Sequence, residues 1–134
     1  DPPTPWFQPT TQVNLLGTKV MRIDGDIWLL YNDGKVLRYN AGEQVPFSLD
    51  ESVALPSNAV DMYVSQQGDS ALYLADGAEE RILYFDQDNG KYLGQFQAAE
   101  GRPLRNLRSI FIDETRGTIF LLTDDALYQQ RLPR

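Results

Sequence analysis

The 134-residue chain has no cysteine and no histidine. The first absence excludes disulfides and thiolate metal ligands. The second excludes Ser-His and Cys-His nucleophilic pairs and histidine-based zinc centres within this chain. No run approaches the roughly 18 apolar residues of a membrane-spanning helix, and nothing reads as a secretory leader. No stretch holds a helical apolar period over about 11 positions, so no amphipathic helix is expected. Basic residues are also in deficit: 12 Lys and Arg stand against 19 Asp and Glu, a net charge of −7. Such a chain matches a phosphate backbone poorly, so no nucleic-acid partner is expected, and no membrane insertion either.

What is present is the composition of a folded domain, 42% hydrophobic and 11% aromatic, at a length that suits one domain. The charge is uneven. Residues 1–100 carry 6 basic and 15 acidic side chains, whereas residues 101–134 carry 6 arginines against 4 acids. The apolar residues fall into short runs separated by polar turns, and these runs recur. "LYLADGAEERILYFD" at 72–86 matches "IWLLYNDGKVLRYN" at 27–40 and "IFLLTDDALYQQRL" at 119–132. Aligning Ile27, Leu72 and Ile119 gives spacings of 45 and 47 residues. The preceding strand repeats as "KVMRID" at 19–24, "VDMYVS" at 60–65 and "RSIFID" at 108–113. A further short strand follows the first two hairpins, "QVPFSL" at 44–49 and "KYLGQF" at 91–96.

A unit of short antiparallel strands every 40–50 residues or so is the pattern of a β-propeller blade. Asp24-Gly25, Asp33-Gly34 and Asn89-Gly90 mark hairpin turns, because glycine takes positive φ without steric cost. The second strands "IWLL", "LYLA" and "IFLL" do not alternate, so they need cover on both sheet faces, as neighbouring blades supply. The expected fold is therefore all-β, three four-stranded antiparallel blades. Blade one falls at about 18–50, blade two at about 59–97 and blade three at about 106–134. Propellers have about 4–8 blades, so an arc of three leaves two end faces bare. If each exposes about 500 Å² of apolar surface, covering one contributes roughly 12 kcal/mol, as much as the whole stability of a typical domain. The arc is thus expected to be half of a six-bladed ring, completed by a second copy or by missing blades. Blade three stops one strand short, and "TQVNLLG" at 11–17 reads as a closing strand. In a two-chain ring it would complete the third blade of the other subunit; the other reading is a surface strand on its own blade. Residues 1–10 read as a Pro-rich linker, with Trp6 and Phe7 either anchors against a groove or a mobile exposed pair.

Residues 72–96 resemble the NHL repeat, a propeller unit with a Tyr-Val-Ala-Asp-like strand, a polar turn and then Arg-Ile-x-x-Phe-Asp. Leu72, Tyr73, Ala75, Asp76, Arg81, Ile82, Phe85 and Asp86 occupy the matching positions, and Gly90, Gln95 and Phe96 continue the pattern. Blade one keeps Val36, Leu37 and Tyr39, but its Arg38 is displaced from the family arginine; blade three has neither the arginine nor the final aspartate. The resemblance implies a six-bladed type of fold. It implies no single function, since such propellers serve as sensor domains, protein-binding scaffolds, RNA-binding modules and occasionally enzymes.

Asp76 and Arg81 flank the turn of blade two and are expected to staple it, a role the resemblance also implies. "DQDNG" at 86–90 has the acids of a calcium loop but not its spacing, so it reads as a hairpin turn. The topology places Asn32, Asp33, Asp76, Glu79, Glu80, Asp124 and Asp125 at the end where second and third strands join, with Asn58, Arg102, Arg105 and Arg108 on loops reaching it. These residues are the candidates for a protein or small anionic ligand on the channel face. The arginines would hold a carboxylate or phosphate bidentately, or else pair with neighbouring acidic turns. No catalytic residue, metal or cofactor is expected. The alternative is a metal-dependent hydrolase like the gluconolactonase-like six-bladed enzymes, with Asn58, Asp61 and Asn106 as ligands. The favoured reading is a non-catalytic recognition or scaffold module, a sensor or interaction domain of a larger protein. The lack of cysteine, the Pro-rich lead and the acidic balance suit an extracytoplasmic setting, and each also suits the cytoplasm.

Overall fold

In the computed structural model, which describes residues 1–67, 70–97 and 104–132, no helix forms and eleven strands do. The first sheet comprises β1 (Thr18–Ile23), β2 (Ile27–Tyr31), β3 (Val36–Asn40) and β4 (Glu43–Val45). The second comprises β5 (Ala59–Val64), β6 (Ala71–Asp76), β7 (Arg81–Asp86) and β8 (Tyr92–Gln97). The third holds β9 (Leu107–Asp113), β10 (Thr118–Thr123) and β11 (Leu127–Arg131). Each is an antiparallel meander in chain order, and the third has three strands among the described residues rather than four. The sheets stand side by side as blades, with the inner strands β1, β5 and β9 adjacent.

Two apolar layers hold the blades together. Trp28, Leu30 and Val36 of blade one face Met62, Val64, Leu72, Leu74, Leu83 and Phe85 of blade two. The opposite face of blade two, Tyr73, Ala75 and Ile82, meets Ile110, Ile112, Ile119 and Leu121 of blade three. This explains the unbroken apolar run of β6, buried at all six positions: odd and even side chains each have a blade to cover them.

The turns are wider than a two-residue hairpin. The Gly34 N–H donates to the Tyr31 carbonyl at 3.0 Å, and Gly34 takes φ +88°. Asp24-Gly25-Asp26 forms a three-residue connection between the paired Ile23 and Ile27. Each turn carries an aspartate whose side chain accepts from backbone, Asp33 from the Lys35 N–H at 3.1 Å and Asp24 from the Asp26 N–H at 3.3 Å, which favours the longer turn.

Within the single chain the N-terminal segment lies on its own blade. Residues 11–17 form no strand within this chain. They lie with residues 6–10 as an arm over the outer face of blade one. Phe7 and Val13 pack on Leu29, Tyr31 and Tyr39, the Phe7 ring standing edge-on to Tyr39 at 5.0 Å. The arm is pinned by the Gln8 N–H to the Gly42 carbonyl at 2.9 Å, the Tyr31 hydroxyl to the Asn14 carbonyl at 2.8 Å, and the Asn32 N–H to the Gly17 carbonyl at 2.9 Å. Thus one of the two end faces is partly covered by the chain itself.

Gly42 is where the arm comes closest. It has φ +79°, and a Cβ there would stand 2.6 Å from the Trp6 carbonyl oxygen and 2.8 Å from the Gln8 nitrogen. Gly42→Ala is expected to cost about 1–2 kcal/mol in left-handed backbone strain, and its Cβ would also push the arm away. Amide exchange at Gln8 is then expected to accelerate by about tenfold or more, with the β5–β7 amides unchanged.

Candidate functional site

The end where the second and third strands join is built by backbone bonds between turns and inter-blade loops. The Ala59 N–H donates to the Asn32 carbonyl at 3.4 Å, and the Gly77 N–H to the Asn58 carbonyl at 2.9 Å. These bring the turn of blade one, the loop carrying Asn58 and the turn of blade two into one row. Asp33 remains exposed on its turn. Asp76 is fully buried; one oxygen takes the Ala78 and Glu79 N–H groups, the other the Arg81 Nε at 2.8 Å. Arg81 also donates to Gln95 and to the Ala54 carbonyl, so Asp76 and Arg81 tie the hairpin to β8 and to the preceding loop. In blade three Arg108 approaches Asp124 at 3.7 Å with both side chains mostly exposed, and Asp125 accepts from the Thr123 hydroxyl at 3.1 Å. Arg105 is exposed and makes no ion pair among the described residues; Arg102 lies outside the described residues.

Asp61, named with Asn58 and Asn106 as a metal ligand in the hydrolase alternative, is occupied otherwise. It is 3% exposed, and its oxygens accept from Arg22 Nη2 at 2.7 Å, the Met62 N–H at 2.8 Å, the Ser109 hydroxyl at 3.0 Å and the Ile110 N–H at 2.8 Å. One carboxylate on the middle inner strand thereby joins all three blades. Asn106 sits at φ +57° with an exposed side chain. Among the described residues no three carboxylates cluster as a metal site would require. In the "DQDNG" stretch the Asp86 side chain caps the Asp88 and Asn89 N–H groups of its own turn.

The opposite end holds residues that sequence reasoning passed over. Glu114, on the β9–β10 turn, accepts from the Tyr63 hydroxyl, the Ser65 hydroxyl and the Gln66 and Gln67 N–H groups of blade two. Burial works to raise this carboxyl, but the bonds from Ser65, Gln66, Tyr63 and Gln67 outweigh it, so its pKa lies below the ordinary 4.5. Burial, the bond to Glu114 and the charges of Glu114 and Asp113 push the Tyr63 phenol up to about 12. A depressed carboxylate stabilises the fold above its unfolded pKa, and that stabilisation fades as pH falls through the folded pKa. Urea midpoints measured from neutral pH to about pH 2 are expected to show a weaker acid slope in Glu114→Gln than in the parent. Glu114→Ala, which orphans two hydroxyls, is expected to cost about 1–3 kcal/mol.

The third feature is the open face of blade three. Phe111 is 57% exposed, Leu122 41% and Leu127 67%, with Phe120 half-buried between them. Phe111 and Phe120 are cross-strand partners, as are Leu122 and Leu127, so the four form one apolar patch on β9–β11. The signal was in the sequence: "TIFLLTDDALYQQ" keeps apolar side chains on both faces of a hairpin that has a neighbour on one face only.

Comparison with protein-family models and with curated proteins finds no match. Among solved structures the chain is similar to the computationally designed Ika4 protein, with a TM-score of 0.61 at 12% identity over 87% of this chain and 66% of that one. It is similar to the designed Ika8 protein with a TM-score of 0.60 at 12% identity, over 86% of this chain and 33% of that one. The WD40 β-propeller domain of Doa1 gives a TM-score of 0.61 at 16% identity, over 83% of this chain and 34% of that one. Identities this low speak to fold alone: the three sheets are β-propeller blades, and this chain spans less than two thirds of each of these structures.

Proposed function

We propose that the chain is a non-catalytic recognition module, the sensor or scaffold part of a larger assembly, and that its binding surface is the open face of β9–β11. Its fold is in general suited to protein interaction. Further support comes from how the polar side chains are used. Asp61, the one carboxylate among the hydrolase candidates Asn58, Asp61 and Asn106, is engaged in tying the three blades together, and Asp76 and Glu114 likewise serve as latches. The observation that carries the reading is the contiguous exposure of Phe111, Leu122 and Leu127, since apolar patches of this kind mark interaction sites. The blades are read as the NHL-like, six-bladed type on the strength of residues 72–96.

The test uses a hydrophobic dye, bis-ANS, at submicromolar protein. The parent is expected to enhance its fluorescence, and Leu122→Asp with Leu127→Asp to lose most of that signal with melting temperature little changed. Equal signals from parent and variant would remove the open face as the binding surface.

A further inference from the structure

The repeat makes blade three's open face interpretable, because the same positions exist twice more in the chain. Strand pairing aligns Leu30 with Val36, Ala75 with Ile82 and Leu122 with Leu127. In blades one and two these positions face the following blade and are 0–2% exposed; in blade three they are 41% and 67% exposed. The inner strand tells the same story. Arg22 reaches forward to blade two, and Tyr63 reaches forward to Glu114 and the Phe111 ring of blade three. Phe111 holds the equivalent place in "RSIFID", and among the described residues no following blade stands against it.

The backward face of blade one is deficient in the matching way. Met62 and Val64, and Ile110 and Ile112, face the preceding blade and are 0–4% exposed. Their counterparts on β1, Met21 and Ile23, are 54% and 57% exposed. The arm covers the outer strands of this face at Tyr39 and Leu29 but leaves the inner strand open. The chain therefore carries an unfilled forward face at one end and an unfilled backward face at the other, each built like the faces it already joins internally. Charge agrees: residues 1–50 carry 4 basic and 6 acidic side chains, whereas residues 101–134 carry 6 basic and 4 acidic ones.

We propose that the partner of blade three's open face is a second copy of this chain, whose Met21 and Ile23 receive Phe111, Leu122 and Leu127. The same contact is made twice around a twofold axis, closing a six-bladed ring. The proposal rests on the reading that the open face is a binding surface. It goes further by naming the occupant and the residues on both sides. Because the contact is head-to-tail, closure after two copies is what separates a dimer from an open filament. Making it twice also divides between two contacts the roughly 1,200–2,000 Å² that a stable interface buries.

The experiment is a mass measurement by light scattering from about 1 to 100 µM, spanning the range in which an interface of this size class associates. The parent is expected to move to twice the chain mass. Leu122→Asp/Leu127→Asp damages one side and Met21→Asp/Ile23→Asp the other, and each alone is expected to be monomeric. Mixing the two variants leaves one undamaged pair of faces, so a weaker dimer is expected to return. Circular dichroism melts of both variants check that they fold. A parent that stays monomeric at 100 µM while its dye signal depends on Leu122 and Leu127 would overturn the second copy and leave the binding surface standing, pointing to further blades of a longer chain. A dimer that survives both variants, or a ladder of higher species, would overturn the ring.

Discussion

Asp61→Ala is expected to remove about 3 kcal/mol or more of stability, out of the roughly 5–15 kcal/mol that domains of this kind possess. The size follows from what the carboxylate holds. The Ile110 N–H and the Ser109 hydroxyl of blade three and the Arg22 guanidinium of blade one all converge on it, in a site where its own side chain is 5% exposed. Removing it orphans the Ile110 amide and the Ser109 hydroxyl at a buried seam, each an unsatisfied group worth about 1–3 kcal/mol. Arg22 contributes less, because its side chain is 40% exposed and water screens that pair. Asp61→Asn keeps one acceptor oxygen and is expected to cost about half as much, roughly 1–2 kcal/mol. Urea unfolding of the three proteins gives the order directly. A loss below about 1 kcal/mol for alanine would mean that the seam is held by apolar packing alone.

Trp28→Ala is expected to cost about 3–5 kcal/mol, while Phe120→Ala, at the equivalent repeat position, costs only about 1 kcal/mol in the monomer. The indole is fully buried between blades one and two. Its N–H donates to Asp24 at 2.7 Å, Phe47 meets it edge-on at 5.1 Å, and the Arg38 guanidinium lies 4.8 Å over the ring. Truncation leaves a cavity at a blade seam and leaves that Asp24 oxygen with only the longer bond from the Asp26 N–H. Phe120 is the same kind of side chain on the same strand of its blade, but no following blade covers it in the single chain. Thermal melts of both variants at submicromolar concentration test the contrast. Equal costs would show that Phe120 is already packed, and the open face would lose its meaning.

Much of the architecture was legible because it depends on pattern. The recurrence at 27, 72 and 119, the lack of helical period and the two-sided apolar strands are properties of side-chain order along the chain. They lead to blades, to strand order and to the need for cover at the ends. The Asp76 and Arg81 positions were readable for a related reason: residues flanking one turn are neighbours whatever the rest of the fold does. The arm was not readable. "TQVNLLG" has the composition of a strand, and whether it adds to a sheet edge or lies across a sheet face depends on partners such as Tyr31 and Asn32 that the local sequence does not announce.

Long-range polar bonds were out of reach in the same way. Asp61 read only as a candidate ligand of the hydrolase alternative, and its role as a latch emerged when β1 and β9 came to stand on either side of β5. Glu114 drew no reading until β5 and the turn after it delivered four donors to it, one from Tyr63 and three from Ser65, Gln66 and Gln67. Local order alone determined that this chain makes sheets in repeated units, because apolar alternation and turn chemistry act over a few residues. Only the tertiary structure decided which carboxylates are spent as latches and which apolar face remains open, because both depend on which blade stands beside which.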